Sequence, residues 1–265
     1  MAKLTSKDGT TIGYDKKGQG PAVILVDGAI GYRAMGFGNA LQDLLARRFT
    51  VYAYDRRGRG ESSNSKPFSV EREVEDIDAL INEAGGSAFV YGISSGACLA
   101  LEAAIRLGGK IKKLALFEPP YNAEPGALEA WRDYNKKLAE LVAANKRGDA
   151  VELFMNFVGT PKEMIAGMRQ SPAWAGMEAV APTLLYDAAA MGKDRVAPVD
   201  RAAKVTATTL VMDGGANLQI MPFMHASATA LAKAIPHAQE RTLDGQSHAV
   251  QAEVLAPVLI DFFKS

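Results

Sequence analysis

The stretch from Ser87 to Leu107, SAFVYGISSGACLALEAAIRL, limits the possible folds more than any other part of the chain. Ala88 to Ile93 is a short apolar run with β-branched and aromatic residues, the composition of a buried strand. Ala97 to Leu107 has the Ala, Leu and Glu content and the spacing of an amphipathic helix. Between them lies Gly92-Ile93-Ser94-Ser95-Gly96. A strand that becomes a helix within two or three residues forces a strained backbone on the middle serine. Glycine on either side lets the two elements approach that closely. The Ser94 hydroxyl then stands clear of the sheet edge, above the free N–H groups of a helix N-terminus. A phosphate-binding loop would want G-x-G-x-x-G or a Lys followed by Ser or Thr, and the turn has neither. The remaining alternative is an ordinary serine in a glycine-rich turn.

A chain of 265 residues has room for one large α/β domain, alone or with an insertion. Thirty basic residues balance thirty acidic ones, which removes the electrostatic case for nucleic acid or an anionic membrane as partner. The single cysteine, Cys98, rules out an internal disulfide and is expected as buried filler in the helix after the turn. The N-terminal MAKLTSKDGTT has no apolar signal core, and no segment approaches the ~20 apolar residues of a membrane span. A soluble, cytoplasmic protein acting on a small molecule is expected; oligomeric state stays open.

The rest of the chain supplies the frame. Lys3 to Thr5 and Thr11 to Lys16 flank Lys7-Asp8-Gly9 and read as a hairpin. Ala22 to Val26 is a near-continuous apolar run suited to a strand buried on both faces, and it ends in the loop Asp27-Gly28-Ala29-Ile30-Gly31. A helix is expected over 33–48, a strand over 49–54, and a helix over 70–84 with Val74, Ile77, Leu80 and Ile81 on one face. Ile111 to Phe117 is again strand-like. Strands alternating with helices at this spacing predict a parallel sheet covered on both faces, with ligands outside the carboxyl ends of its strands. The alternation stops from Ala127 to about Met191, where only helical patterns occur: 127–147, 149–158, 162–169 and about 177–190, punctuated by Pro161, Pro172 and Pro182. Strand patterns resume at 208–212 and 239–243, separated by a helix over 223–235, and a last helix ends near Phe263. The expected architecture is α/β, a mostly parallel eight-stranded sheet with helices on both faces. Residues 1–120 and 200–265 form its core, and 121–199 a small helical lid over the active edge. Most of the lid's Met and aromatic residues pack among themselves. Candidates for substrate contact are Ile30, Tyr32, Phe154, Trp174, Met177, Tyr186 and Met221.

A serine hydroxyl is a poor nucleophile at neutral pH and needs a base within hydrogen-bond reach. Of three histidines, His225 falls at the start of a helical pattern and His237 in a Pro-His turn. His248 follows the last strand in a loop on the same edge as Ser94, and is the expected base. The base needs a carboxylate to fix its tautomer and stabilise the imidazolium. Glu118 ends an apolar strand and is locked by Pro119 and Pro120, a costly place for an acid without a partner. Asp213, after the strand 208–212, is the rival, and a dyad without an acid is the third possibility. Oxyanion donors are expected from the N–H of Ser95 and from Gly28 or Ala29. No metal or organic cofactor is implied.

At this point the chain resembles the α/β-hydrolase superfamily. The matching pieces are Asp27-Gly28 where that family usually has His-Gly, Asp55-x-Arg57-Gly58-x-Gly60-x-Ser62, the Gly92–Gly96 turn, the lid position and the late His248. The family's usual pattern after the strand 208–212 is Gly-x-x-Asp; here Asn217 fills the place of the acid. Within the superfamily, Val26-Asp27-Gly28, Gly92-Ile93-Ser94-Ser95-Gly96-Ala97 and Glu118-Pro119-Pro120 resemble the zearalenone-type lactonases. That group takes its acid as a glutamate after this strand. Haloalkane dehalogenases also carry a glutamate there but need an aspartate where Ser94 stands. The expectation is a serine hydrolase of a small to medium apolar ester or lactone working through an acyl-enzyme. The alternatives are C–C bond hydrolysis or acyl transfer by the same residues, or a non-catalytic ligand-binding protein.

Overall fold

The computed structural model describes residues 2–265. A hairpin of β1 (Ala2–Thr5) and β2 (Thr11–Lys17) opens the chain, turned at Gly9 by a positive φ of 85°. There follow β3 (Ala22–Val26), α1 (Asn39–Leu45), β4 (Thr50–Tyr54), α2 (Val70–Glu83), β5 (Ala88–Ile93), α3 (Ser95–Leu107) and β6 (Ile111–Phe117). Next comes a helical insertion of α4 (Ala127–Ala143), α5 (Arg147–Phe157), α6 (Lys162–Arg169), α7 (Ala173–Val180) and α8 (Leu184–Met191), after which the short α9 (Val199–Ala202) rejoins the core of the sheet. The chain closes with β7 (Thr208–Gly214), α10 (Pro222–Ala234), β8 (Gln239–Leu243) and α11 (Ala252–Lys264). One eight-stranded sheet results, ordered β1-β2-β4-β3-β5-β6-β7-β8; it is antiparallel only where β2 meets β1 and β4.

Strand alternation splits the core in two. Ile24, Val90, Leu116 and Val211 face α2, α3 and α10, whereas Leu25, Tyr91, Phe117 and Met212 face α1 and α11. Sealing both faces explains why the central strands are apolar at nearly every position. The insertion has a third core of its own, with Trp131, Leu138, Val151, Trp174, Met177 and Leu184, and the loop residue Ile30 belongs to it. That contact seats the lid-like insertion on the carboxyl edge of the sheet, over the loop after β3.

Three expected helices differ. The helix over 33–48 shrinks to a 3-10 turn at Arg33–Met35 and α1, because Gly36 takes a left-handed φ of 79° and breaks the run. The helix over 127–147 stops at Ala143; Asn145, at φ 54°, separates it from α5. The pattern at 177–190 is two helices, α7 and α8, joined by a 3-10 turn at Ala181–Thr183 that contains Pro182. Among the described residues no helix is long and apolar enough to cross a membrane.

Candidate active site

Ser94 occupies φ 57°, ψ −131° at the junction of β5 and α3, a conformation that costs a non-glycine residue of order 1–3 kcal/mol. Its neighbours show why the bend is possible. A Cβ on Gly92 would lie 2.5 Å from the Gly96 carbonyl oxygen, and one on Gly96 would lie 2.3 Å from that of Val26. Only hydrogen fits at either place. The Ser94 N–H donates to the Phe117 carbonyl at 2.9 Å, so the bend is tied to the end of β6.

Ile93 and Phe117 are register partners across the parallel strands, so the two strands release Ser94 and Glu118 side by side. Glu118 also has a left-handed backbone, φ 47°, and its side chain is fully buried. It accepts hydrogen bonds from Gly214 N–H at 2.9 Å and from Asn217 Nδ2, at 2.8 Å to Oε1 and 3.0 Å to Oε2. The fourth contact is His248 Nδ1, 2.6 Å from Oε2. Burial pushes the Glu118 carboxyl up. The hydrogen bond and charge of His248, with the donors Asn217 and Gly214, outweigh burial and hold it below the ordinary carboxylate range. With Glu118 ionised, Nδ1 of His248 is the donor, which leaves Nε2 as an acceptor.

The loop that carries His248 is held from behind. The Gln246 carbonyl accepts from Ala216 N–H at 2.9 Å, and its side-chain Oε1 accepts from Gln251 N–H at 2.9 Å. Asn217, where the family usually has an aspartate, donates to the Glu118 carboxylate. Asp213 lies elsewhere: it bonds Thr242 Oγ1 at 2.9 Å and His225 Nδ1 at 3.1 Å. His225 is thus paired, not a bare surface residue.

The expected oxyanion loop sits against the bend. A Cβ on Gly28 would be 3.0 Å from Ser94 Cβ and 3.6 Å from its Oγ. Among the described residues the N–H groups of Gly28, Ala29 and Ser95 have no acceptor. Their carbonyl partners are engaged: Arg56 Nη1 donates to Asp27 O at 3.3 Å and Arg59 Nη1 to Gly28 O at 2.6 Å. In a trans peptide the C=O and N–H point opposite ways, so both N–H groups are turned away from the arginines.

Sequence reasoning missed the network behind this loop. Arg56 is buried against Glu73 and Asp187, and Arg59 forks onto both oxygens of Asp187 at 2.9 and 2.8 Å. Asp187, on α8 of the insertion, also accepts from Ser95 Oγ at 2.7 Å. Burial raises this carboxyl, and the two guanidinium charges with the Ser95 hydrogen bond bring it below its usual range. Through Arg56 and Arg59, one carboxylate of the insertion therefore ties the loop after β3 to the residue after Ser94. Beside it, burial pushes the Asp27 carboxyl up against the opposing charges of Arg59 and Arg56.

The substrate-contact candidates fall in three places. Ile30, Tyr32, Phe154, Trp174 and Met177 pack in the core of the insertion, where Trp174 Nε1 also bonds Glu178 at 3.0 Å. Tyr186 points to the β4–α2 loop, stacked on Phe68 at 3.7 Å with its hydroxyl on Asn64, so it fastens insertion to core. Met221 caps the N-terminus of α10, half-buried. Cys98 is fully buried, as expected. Among the described residues no group of three or more His, Cys, Asp or Glu is placed to hold a metal ion.

Comparison with known proteins matches residues 27–258 to the family described as "Alpha/beta hydrolase family". An alpha/beta hydrolase from Sphaerobacter thermophilus is similar over 99% of this chain and 100% of its own, at 47% identity and TM-score 0.89. The fold is shared with an enol-lactonase from Burkholderia xenovorans, at 22% identity, TM-score 0.72 and full coverage of both chains. Among curated sequences, an uncharacterized hydrolase of Bacillus subtilis, YraK, is 33% identical over 115 residues, 42% of each chain. A proline iminopeptidase, PfmaB, of Pestalotiopsis fici is 28% identical over 141 residues, 49% of this chain and 48% of its own. The chain thus spans about half the length of the curated relatives it matches. On the family match and the full-length similarity, this chain belongs to the alpha/beta hydrolase family.

Proposed function

We propose that this chain is a serine hydrolase that cleaves a carboxylic ester or lactone of a small to medium substrate through an acyl-enzyme. The observation that carries the reading is the 2.6 Å bond between buried Glu118 and His248 Nδ1, beside a serine held in a left-handed bend. In this mechanism His248 Nε2 takes the proton as Ser94 Oγ attacks the carbonyl carbon. The charge that develops on the carbonyl oxygen is met by the N–H groups of Ser95 and of Ala29 or Gly28, each donor worth about 3–4 kcal/mol of transition-state stabilisation. The resulting imidazolium faces the Glu118 carboxylate, then hands its proton to the leaving oxygen. Water repeats the sequence to release the acid. The segment 121–199 acts as the lid that screens this chemistry, and Glu118-Pro119-Pro120, which resembles the zearalenone-type lactonases, supports the assignment of the acid.

A fluorophosphonate probe is expected to label Ser94 in the wild-type protein and to leave Ser94→Ala unlabelled. Hydrolysis of p-nitrophenyl esters by Ser94→Ala is expected to fall by at least about a thousandfold. Retention of wild-type turnover by that variant would remove the reading.

A further inference from the structure

Among the described residues four arginines are buried, and one of them has no counter-charge. Arg56, Arg57 and Arg59 each meet carboxylates, at 2.6 Å to Asp187, 2.7 Å to Asp76 and 2.8 Å to Asp187 respectively. Arg195 is only 9% exposed, yet among the described residues no Asp or Glu lies within ion-pair distance of it. Among the described residues the one hydrogen bond of its side chain runs from Nε to the Pro120 carbonyl at 2.7 Å, while its backbone carbonyl accepts from Asn122 N–H at 2.7 Å. Both Nη nitrogens lack a protein acceptor, and neither is among the atoms sealed from solvent. Removing a guanidinium from water without a partner is costly, and the strain of its left-handed backbone, φ 55°, adds to that. Burial accordingly lowers its pKa to about 10, against the opposing influence of Cys98 and Tyr134.

The surroundings hold this group in place. The guanidinium carbon lies 5.5 Å from the Trp131 ring, 5.0 Å from Phe157 and 5.2 Å from Phe223, three rings that fix its plane without supplying an acceptor. Two of the rings come from the insertion and one from the start of α10, so the guanidinium sits in the seam between lid and core. Pro120, its anchor, is two residues beyond Glu118.

We infer that Arg195 is the substrate-anion receptor of this site, whose two free Nη donors fork onto a carboxylate carried by the acyl part of the ester or lactone. A planar fork with free parallel N–H donors suits a carboxylate better than any neutral group. The substrate is then apolar along its middle and anionic at one end. This rests on the ester-hydrolase reading above, which it narrows.

The test compares kcat/KM for the p-nitrophenyl half-esters of succinate, glutarate and adipate with the neutral p-nitrophenyl esters of the same chain length. In the wild type at least one half-ester is expected to be preferred by about tenfold or more. In Arg195→Gln that preference ratio is expected to fall about 10- to 100-fold, chiefly through KM, with Arg195→Lys in between. A purely structural arginine would slow both members of a pair alike and leave the ratio unchanged; that result, or a wild type that prefers no half-ester, overturns the inference. Binding of glutarate, measured by calorimetry on wild type and Arg195→Gln, decides if no ester is turned over. Binding that weakens at least tenfold in the variant keeps the anion receptor while the hydrolase reading fails, and equal or absent binding ends both. Ester turnover without charge preference ends the receptor alone.

Discussion

Two carboxylate–histidine pairs stand on neighbouring strands of this sheet, and they differ in what lies beyond the imidazole. Glu118 follows β6, past the last register pair with β5, where the backbone turns left-handed and swings the carboxylate out over the strand ends. Asp213 is still inside β7, in register with Thr242 of β8, and that cross-strand hydroxyl holds one of its oxygens. His248 rides on a loop at the carboxyl edge. His225 belongs to α10, which packs against β7 and β8, so its ring is directed by the helix that covers the sheet. Both acids are buried and both bond a ring nitrogen, at 2.6 Å and 3.1 Å. A carboxylate and an imidazole in contact are therefore not enough to mark a catalytic pair. Position separates the two pairs: of the two acids, Glu118 is the one that leaves the sheet beside Ser94.

The widest separation between the pairs is expected on removal of the rings. His248→Ala should lower kcat for a p-nitrophenyl ester by about 10⁴- to 10⁶-fold, the loss seen when a serine hydrolase is deprived of its base. His225→Ala should stay within about threefold of wild type, since its partner Asp213 keeps the Thr242 hydrogen bond. Comparable losses in the two variants, measured side by side on the same ester, would dissolve the distinction between the two pairs.

Changing the acids should separate the pairs by less, because the ring and the nucleophile remain. Glu118→Gln puts an amide against Nδ1, which disfavours the tautomer that leaves Nε2 free and takes away the charge that stabilises the imidazolium. A loss of about 10³- to 10⁴-fold in kcat is expected, with KM little changed. Asp213→Asn should cost less than about fivefold. The reverse order would transfer the role of the acid to Asp213.

How much of this the sequence carried depends on the range of the interactions. The Ser94 bend was legible because its cause is local: two glycines, a β-branched strand before them and a helix after. Glu118 was legible for the same reason, as an acid at the end of an apolar strand with two prolines behind it. Asn217 could be read as a missing acid but not as a donor, because the carboxylate it serves lies 99 positions away. The arginines at 56, 57 and 59 sit in a charged, glycine-rich loop, and nothing local shows that all three are buried. Their burial depends on Asp187, 131 positions from Arg56 and 128 from Arg59, and on Glu73 and Asp76. The same dependence on distant chain hid Arg195, whose three rings come from two helices of the insertion and one after β7. Helical periodicity also ran through the breaks at Asn145 and Ala181–Thr183, where left-handed backbone or a 3-10 turn interrupts the helix without an interruption in the apolar pattern.

The smallest of the expected effects concerns the residue that separates this chain from the family's usual arrangement. Asn217→Asp places a second carboxyl within 2.8–3.0 Å of the Glu118 oxygens, in a buried site. Two carboxylates that close cannot both stay ionised, so the pair shares one proton and keeps one negative charge near His248. A net charge of the right sign survives, so the loss in kcat should be only about tenfold, well short of Glu118→Gln. Stability carries the clearer signature. The introduced carboxyl has its folded pKa raised above the unfolded value of about 3.9, so its contribution is most favourable below that pH and is lost as pH rises through the raised value. The deficit of Asn217→Asp against wild type in urea midpoint should therefore be small near pH 4 and grow towards pH 8. A deficit independent of pH over that range would mean that the two side chains no longer meet in the variant, and that Asn217 holds Glu118 by shape and not by its two N–H donors.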